Sequence, residues 1–281
     1  MGLERIVADL VDRVERRFYG KYRGVVVDNQ DPSRLGRLRV RVPSVLGPDV
    51  VTGWATACVP SGGAPGEGFL FIPPRDAGVW VEFEEGDLEF PIWVGTFWSK
   101  PAAGSELPKP NGADGAEAGD VQDPPTCRIL KTGKGHTLQF EEGGQDAAVT
   151  VVDGVNKHVI RLDAKGVSVM DGVHGHRVVL DDSGVAITTG KNADNAVRMT
   201  SSGVTIKDGN GNTVELGSGG IKIGGGATQP LVLGQSLDQA VQTFVLTLNT
   251  HTHVGNLGAP TSPPVAPMSL SVPLSTKHKV E

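Results

Sequence analysis

The amino-acid sequence predicts an all-β protein that combines a small N-terminal barrel with a long repetitive β-region. Three observations support this prediction. Glycine contributes 39 of the 281 residues, about twice the share of about 7% found in ordinary proteins. Twelve of the 14 aromatic residues lie between residues 18 and 98. A glycine-centred pattern then recurs four times between residues 159 and 226.

Composition and charge exclude several classes of protein. The glycines show no Gly-X-Y period, which excludes collagen, and a net charge of −6 with 21% charged residues is far from the disordered class. No apolar run approaches the roughly 20 residues of a membrane-spanning helix, and the charged N-terminus lacks the apolar core of a signal peptide. Two cysteines, Cys58 and Cys127, are too few for a disulfide framework, which favours folding in a reducing cytoplasm.

Residues 1–19 are predicted to form a helix and residues 20–100 a barrel. Apolar side chains between Leu3 and Val14 recur at the spacing of an amphipathic helix. Short apolar runs separated by Gly/Pro turns then predict five or six strands, which are typical of an OB-fold barrel. The predicted strands are Gly24–Val27, Arg37–Val42, Val51–Cys58, Gly68–Ile72, Gly78–Phe83 and Ile92–Trp98. We expect the Trp and Phe side chains to alternate into the barrel core, and Cys58 to be a small core residue.

The glycine-centred repeat occupies residues 127–228. Its pivotal glycines are 18, 19 and 17 residues apart, at Gly166, Gly184, Gly203 and Gly220. Each has an apolar residue four positions before it and β-branched residues one and three positions after it, and a looser copy begins at His136. Each repeat therefore predicts two short strands joined by a glycine turn.

The inward positions of this repeat hold only Val, Ile, Leu or Met, and strands so short cannot enclose a core in one chain. If three identical chains wind about a common axis, each supplies one wall of a narrow prism, and small branched side chains fill it without rings. An intertwined trimeric β-helix needle is therefore favoured over a monomeric solenoid, which stays as the alternative. About ten strands at 4.8 Å each give a shaft on the order of 50 Å long.

Two further segments flank the repeat. Residues 101–126 hold five prolines and almost no large apolar side chains, which predicts a linker. In residues 229–281, Ser236–Thr250 has one apolar stripe and predicts a helix. The residues from Val254 onward are proline-rich and are predicted to be an irregular tip segment.

Three stretches of the barrel region are similar to a known family: FYGKYRGVVVDNQDPSRLGRLRVRVPSV, GWATACVP and GEGFLFIPPRDAGVWVEFEEGDLEFPIWVGTFW. They resemble the N-terminal domain of baseplate spike proteins of contractile phage tails (baseplate assembly protein V), whose relatives include spikes of extracellular injection systems and the valine-glycine-repeat protein of type VI secretion. The resemblance implies an OB-fold in a central hub, a trimeric β-helical needle and a tip that carries a PAAR-like cap or effector cargo. Some relatives insert a lysozyme domain where this chain has its linker, so no muramidase activity is implied.

The function expected from this resemblance is that of a non-enzymatic, homotrimeric spike at the centre of a contractile baseplate. Its partners would be the other two copies, a baseplate hub protein, the tip protein or cargo, and transiently the target membrane, with no nucleic acid. The spike would be assembled in the cytoplasm as part of a phage tail or a tail-like particle that can be released. Sheath contraction would drive it through the membrane.

The histidine pair His251 and His253 is the best candidate metal site. Six imidazoles from three chains would converge on a three-fold axis and suit iron or another first-row metal, and the resemblance also implies iron at such a pair. The alternative is a helix C-terminus with two polar caps. A second pair, His174 and His176, is interpreted as a solvent-exposed loop. No other cofactor and no catalytic residue is predicted.

Two functions from other classes stay as alternatives. A tailspike-like glycan hydrolase would use paired carboxylates, and the acidic residues at the turns are Asp163, Asp181, Asp182 and Asp208. An OB-fold nucleic-acid-binding protein would use a basic groove, and the basic strip consists of Lys21, Arg23, Arg34, Arg37, Arg39 and Arg41. Because Asp before Gly is ordinary turn chemistry and the chain is acidic, we interpret the carboxylates as turn residues and the strip as a contact with the hub.

Overall fold

The structure is a computed structural model, and it divides the chain into two compact units, Met1–Val173 and His174–Glu281. The described residues are 17–102, 104–120, 122–144, 147–225 and 234–272, with Gly2, Glu4, Val7 and Val11. Most of the predicted N-terminal helix lies outside the described residues; of the described positions in 1–19, Glu4, Val7 and Val11 are helical, whereas Gly2 and residues 17–19 are not.

The first unit begins with a barrel of short strands. These are β1 (Tyr22–Asp28), β2 (Arg39–Arg41), β3 (Thr56–Ala57), β4 (Gly78–Phe83) and β5 (Pro91–Thr96), with the short helix α1 (Pro43–Leu46) after β2. Their order is β2-β1-β4-β5-β3, with β3 parallel to β5 and the other pairs antiparallel. Bridges from Leu38 to Ala55 and from Arg41 to Val51 bring the residues before β3 beside β2. The ring of strand pairings is therefore closed.

The barrel core is mainly aliphatic, so the prediction that the Trp and Phe side chains alternate inward is wrong at several positions. Val26, Leu38, Val40, Val42, Ala55, Val79, Val81, Phe83 and Trp93 form the buried cluster. On β4 the alternation buries Val79, Val81 and Phe83 and turns Trp80 outward. The interior of a barrel narrows as its strand number falls, so branched aliphatic side chains fill this one and most rings stay outside.

Two other predictions for the barrel region are also wrong. Residues 68–74 form no strand, because Phe69 N–H donates to Ser61 O within the same loop, at 3.0 Å, instead of to a barrel strand. The Phe69 and Phe71 side chains are consequently exposed. Cys58 is exposed rather than in the core, because it lies one residue beyond β3 and shares the outward phase of Thr56.

The rest of the first unit contains an antiparallel meander, called the first meander. Its strands are β6 (Cys127–Lys131), β7 (Thr137–Glu141), β8 (Ala148–Val152), β9 (Val159–Asp163) and β10 (Gly166–Met170). Each pairs with its neighbour in the sequence. The strands are four to six residues long throughout the meanders, as the repeat predicts.

The second unit contains the second meander and a helix. The strands are β11 (Arg177–Asp181), β12 (Gly184–Thr189), β13 (Asn195–Thr200), β14 (Gly203–Lys207), β15 (Thr213–Gly217) and β16 (Gly220–Ile223), each antiparallel to the next. The helix α2 (Gly234–Thr250) confirms the predicted C-terminal helix. Two long antiparallel meanders and a barrel confirm the all-β fold class. Among the described residues, no helix is both long and apolar enough to cross a membrane.

The pivotal glycines lie where the two-residue turns begin the second strand of each hairpin. Gly184 has φ +131° and Gly203 has φ +144°, values that side chains with a Cβ rarely adopt. A Cβ at Gly203 would also clash with the main-chain oxygen of Leu216 on the neighbouring strand. These positions therefore require glycine for both backbone conformation and space.

A repeated hydrogen bond holds successive connections between hairpins. In three repeats a glycine N–H donates to the Nδ1 atom of a histidine 14 or 18 residues earlier, and in the fourth an asparagine takes the histidine's place. The pairs are Gly154 to His136 at 3.3 Å, Gly172 to His158 at 3.2 Å, Gly190 to His176 at 3.1 Å, and Gly209 to Asn195 Oδ1 at 3.1 Å. His176 is exposed, in agreement with our interpretation of it as part of a solvent-exposed loop. Its Nδ1 atom also accepts the N–H of Gly190 and so stabilises the connection after β12.

Candidate interaction surface

The second meander presents one apolar face. Strand register aligns its apolar residues in two rows that cross all six strands of this meander. The first row is Val178, Ile187, Val197, Ile206, Val214 and Ile223; the second is Leu180, Val185, Met199, Val204, Leu216 and Ile221. The opposite face carries mainly polar or small side chains, including Thr188, Arg198, Thr205, Glu215 and Lys222.

The apolar face of the second meander is open to solvent in the single chain. Ile187 is 43% exposed, Ile206 46% and Ile221 63%. An open groove of about 590 Å³ runs along the first row. Single exposed apolar residues are common in soluble proteins, but a contiguous apolar strip marks an interaction surface.

The first meander has the same apolar face. Register places Leu130, Leu138, Val151, Ile160 and Val169 in one row, and Phe140, Val149, Leu162 and Val167 in the other. Phe140 is 42% exposed and Ile160 44% exposed. The opposite face is mixed and its centre is buried: Val152 and Val159 are 2% exposed, and polar Gln139 and Thr150 are 3% and 0% exposed.

A turn within residues 109–118 covers this mixed face of the first meander. The Gln139 side chain holds the main chain of Asn111, accepting from its N–H at 2.7 Å and donating to its carbonyl at 3.1 Å. Thr137 Oγ1 donates to Asn111 Oδ1 at 3.2 Å. This turn lies in the segment predicted as a linker, and its signals were the dipeptides Asn111-Gly112 and Asp114-Gly115. Among the described residues, the chain thus covers this mixed face and leaves the apolar face open.

Local partners divide the predicted basic strip of the barrel. Lys21 pairs with Glu82, and Arg23 lies over two rings, with its Cζ atom 5.4 Å from the Trp80 centroid and 5.0 Å from that of Phe97. The strip also includes three exposed arginines, Arg34, Arg39 and Arg41. The outside of the barrel therefore combines exposed guanidinium groups on and before β2 with the Trp80 and Phe97 rings beside Arg23, which suits contact with another protein.

Arg37, the remaining strip residue, belongs to a rigid loop between β1 and β2. Arg37 donates to both carboxylate oxygens of Asp31, from Nη2 to Oδ1 at 2.7 Å and from Nε to Oδ2 at 3.1 Å. Asp31 also accepts the N–H of Ser33 at 3.0 Å and of Leu35 at 2.8 Å. The Arg37 hydrogen bond, followed by the backbone N–H groups, lowers the pKa of Asp31 far below its usual value. This pairing was missed because it depends on loop geometry.

Replacing Asp31 by asparagine is expected to destabilise the barrel at pH 7 and to have a diminishing effect in acid. Because the folded pKa of Asp31 lies below the unfolded value of about 3.9, the carboxylate stabilises the fold above that value. This contribution is lost as the pH falls through the folded pKa. Urea unfolding followed by tryptophan fluorescence, at pH 7 and pH 3, measures the difference in free energy of unfolding between the wild type and the variant. Asp49→Asn removes the same charge at an exposed barrel site and is the control; an equal loss in both variants contradicts the prediction.

The predicted metal-site histidines lie directly after α2. The His251 and His253 rings are both exposed, with centroids 5.0 Å apart and planes at 86°. His251 Nδ1 is hydrogen-bonded to Leu248 O, which leaves Nε2 as the ligand atom, an arrangement that metal-binding histidines commonly use. The residues fit a first-row metal, but one chain supplies only two imidazoles. The same Leu248 contact also caps the helix, as the alternative interpretation expects.

The acidic turn residues act as hydrogen-bond acceptors. Asp163 accepts from Arg161 Nε at 2.7 Å and from Lys165 N–H at 2.9 Å, and Asp181 accepts from Ser183 N–H at 2.9 Å. The pKa of Asp163 is lowered, chiefly by the Arg161 hydrogen bond. The general acid of a glycosidase needs a raised pKa instead. This arrangement is that of turn residues.

Comparison with known proteins identifies the barrel. Residues 22–98 match the family model described as the type VI secretion system/phage-baseplate injector OB domain. No curated protein matches the chain. The matched range begins at the first residue of β1 and ends two residues after β5, so the predicted OB-fold is confirmed. The barrel is therefore similar to a baseplate-injector OB domain, and this similarity supports a structural role in a phage baseplate or related injection system.

Proposed function

We propose that the protein is a homotrimeric baseplate spike whose two meanders form the walls of an interwound β-needle. The apolar face common to both meanders carries this proposal. In the first meander the chain buries polar Gln139 and Thr150 while Phe140 and Ile160 stay about 40% exposed. A partner of matching shape must cover that face, and a second and third copy of the same chain supply one.

Three copies suit the dimensions of the strands. Every strand of the two meanders except β6 contributes two apolar side chains, nearly all Val, Ile, Leu or Met, so each wall of a three-sided prism is two residues wide. Burial of such a side chain is worth about 1.5–3 kcal/mol relative to leaving it exposed, and the two rows repeat over the whole meander. Closing the walls on each other would leave no apolar face in water.

The proposed action of the spike is mechanical. The OB barrel anchors the trimer to a baseplate hub through the exposed arginines and the Trp80 and Phe97 rings on its outer surface. Sheath contraction then drives the interwound meanders through the target membrane, and the C-terminal segment carries a PAAR-like cap or effector cargo. No step of this action needs catalysis.

The mass of the purified protein in solution tests the proposal. Light scattering is expected to give roughly 88 kDa, three times the chain mass of 29.4 kDa. A monomer would contradict any self-association through the apolar faces. A dimer would contradict the three-sided prism, because two copies supply only two of its three walls.

A metal at His251 and His253 belongs to the same proposal. Three chains would supply six imidazoles, and a bound metal ion would cross-link the three C-terminal ends. Elemental analysis of the purified trimer is expected to find about one first-row metal ion per three chains. The His251→Ala variant is expected to lose it. A metal-free wild-type trimer prepared with added iron or zinc would overturn the metal site.

A further inference from the structure

Helix α2 carries an apolar seam that the described part of its own chain leaves open. The seam consists of Leu237, Val241, Phe244 and Leu248, which are four, three and four residues apart. Leu237 is 43% exposed and Phe244 62% exposed, whereas Val241 and Leu248 are half-buried. Alternating steps of four and three residues give the 3.5-residue period of a coiled coil.

The C-terminal tail covers the flank of α2 beside the seam. The Asn249 side chain holds the main chain of Met268, donating to its carbonyl and accepting from its N–H, both at 2.8 Å. Gln242 Nε2 donates to Leu270 O at 2.8 Å, and Val245 on the same flank is 7% exposed. The helical period places these helix residues next to the seam. Residues 268–270 of the tail therefore close one flank of α2 and, within the described part of the chain, the seam beside it stays uncovered.

We propose that this seam packs against the same seam of two other copies of the chain, in a short parallel three-stranded coiled coil. The proposal rests on the homotrimer proposed above, because a three-fold axis along the needle sets the three helices parallel. Charge supports this occupant. Asp238 is the one charged residue in the sequence of α2, so identical helices meet with little like-charge repulsion.

Helix α2 is too short for its coiled coil to be stable without the needle. Seventeen residues span about 26 Å, little more than two heptads, and a helix of this length is marginal by itself. The coiled coil therefore depends on the needle to hold the chains together, and in return it aligns their C-terminal ends. The next position along the seam, three residues after Leu248, is His251, so the same packing brings three copies of that imidazole towards the axis.

Disulfide trapping in the full-length protein tests the seam. Val241→Cys places a thiol of similar volume within the seam, and Leu246→Cys, at a 63% exposed position outside the seam, is the matched control. Both are made with Cys58→Ser, because Cys58 is exposed. Cys127 can stay, since burial and the charge of Glu141 raise the pKa of its thiol to about 11, which keeps it protonated at pH 8.

Non-reducing gels and light scattering of the same samples separate the outcomes. Cross-linked chains in Val241→Cys, with little cross-linking in Leu246→Cys, are the result expected. Trimeric mass without this difference would overturn the coiled coil and leave the trimer standing. Equal cross-linking at both positions would also overturn the seam, because it reports random collision. Monomeric mass would overturn both proposals.

Discussion

A single aspartate at Ile187 is expected to dissociate the trimer into chains of 29.4 kDa. Ile187 lies in the first row of the apolar face, paired with Val178 and Val197 on the neighbouring strands. In the proposed needle, three carboxylates would meet near the axis with no countercharge. An uncompensated buried charge costs about 3–5 kcal/mol, and the symmetry applies this cost three times. Light scattering measures the change in mass directly.

The neighbouring residue provides the control for this variant. Thr188 lies on the opposite face of the same strand, paired with Arg177 and Ala196, and Thr188→Asp introduces the same charge with no like charge directly across. This variant is expected to stay trimeric. If Ile187→Asp also stays trimeric at micromolar concentration, the apolar face is not the interface and the needle proposal is wrong.

Replacing Gly203 by alanine is expected to be the most damaging conservative change in the second meander. The backbone there has φ +144°, and a Cβ would clash with the main-chain oxygen of Leu216. Backbone strain of this kind costs on the order of 1–3 kcal/mol, and moving the strand away would also break its ladder. Thermal unfolding followed by circular dichroism is expected to show a large fall in the midpoint.

Gly219→Ala is the matched control for that variant. Gly219 lies in the next hairpin turn, its φ is not in the positive region, and an added Cβ would have no atom within 4 Å. Its midpoint is expected to stay close to that of the wild type. A similar midpoint for both variants would show that the glycine turns are not conformationally required.

Local patterns were sufficient to predict the meanders and the C-terminal helix. The glycine pivots at Gly166 and Gly184 lie where the hairpins turn, because a two-residue turn and a strict two-residue alternation are both local properties. The apolar stripe of α2 is local in the same sense. Its predicted start at Ser236 is two residues from the observed start at Gly234.

The errors concern features that depend on distant parts of the chain. Whether Trp80 points inward depends on the width of the closed barrel and on the phase of β4, neither of which the strand sequence contains. Asn111 is buried against the first meander because the side-chain amide of Gln139, 28 residues later, forms hydrogen bonds with both its N–H and its carbonyl. Arg37 pairs with Asp31 instead of adding a free charge to the basic strip, because the loop between β1 and β2 brings the two side chains together.

Because each strand pairs with its neighbours in the sequence, the length of a meander is proportional to its number of repeats. Each repeat of 17 to 19 residues adds two strands, or about 10 Å at the usual strand spacing. Within each meander a tandem duplication would insert one more hairpin without changing the pairing of the others, and both rows would continue in phase. Duplication or deletion of repeats can therefore change the length of such a meander in fixed steps of about 10 Å.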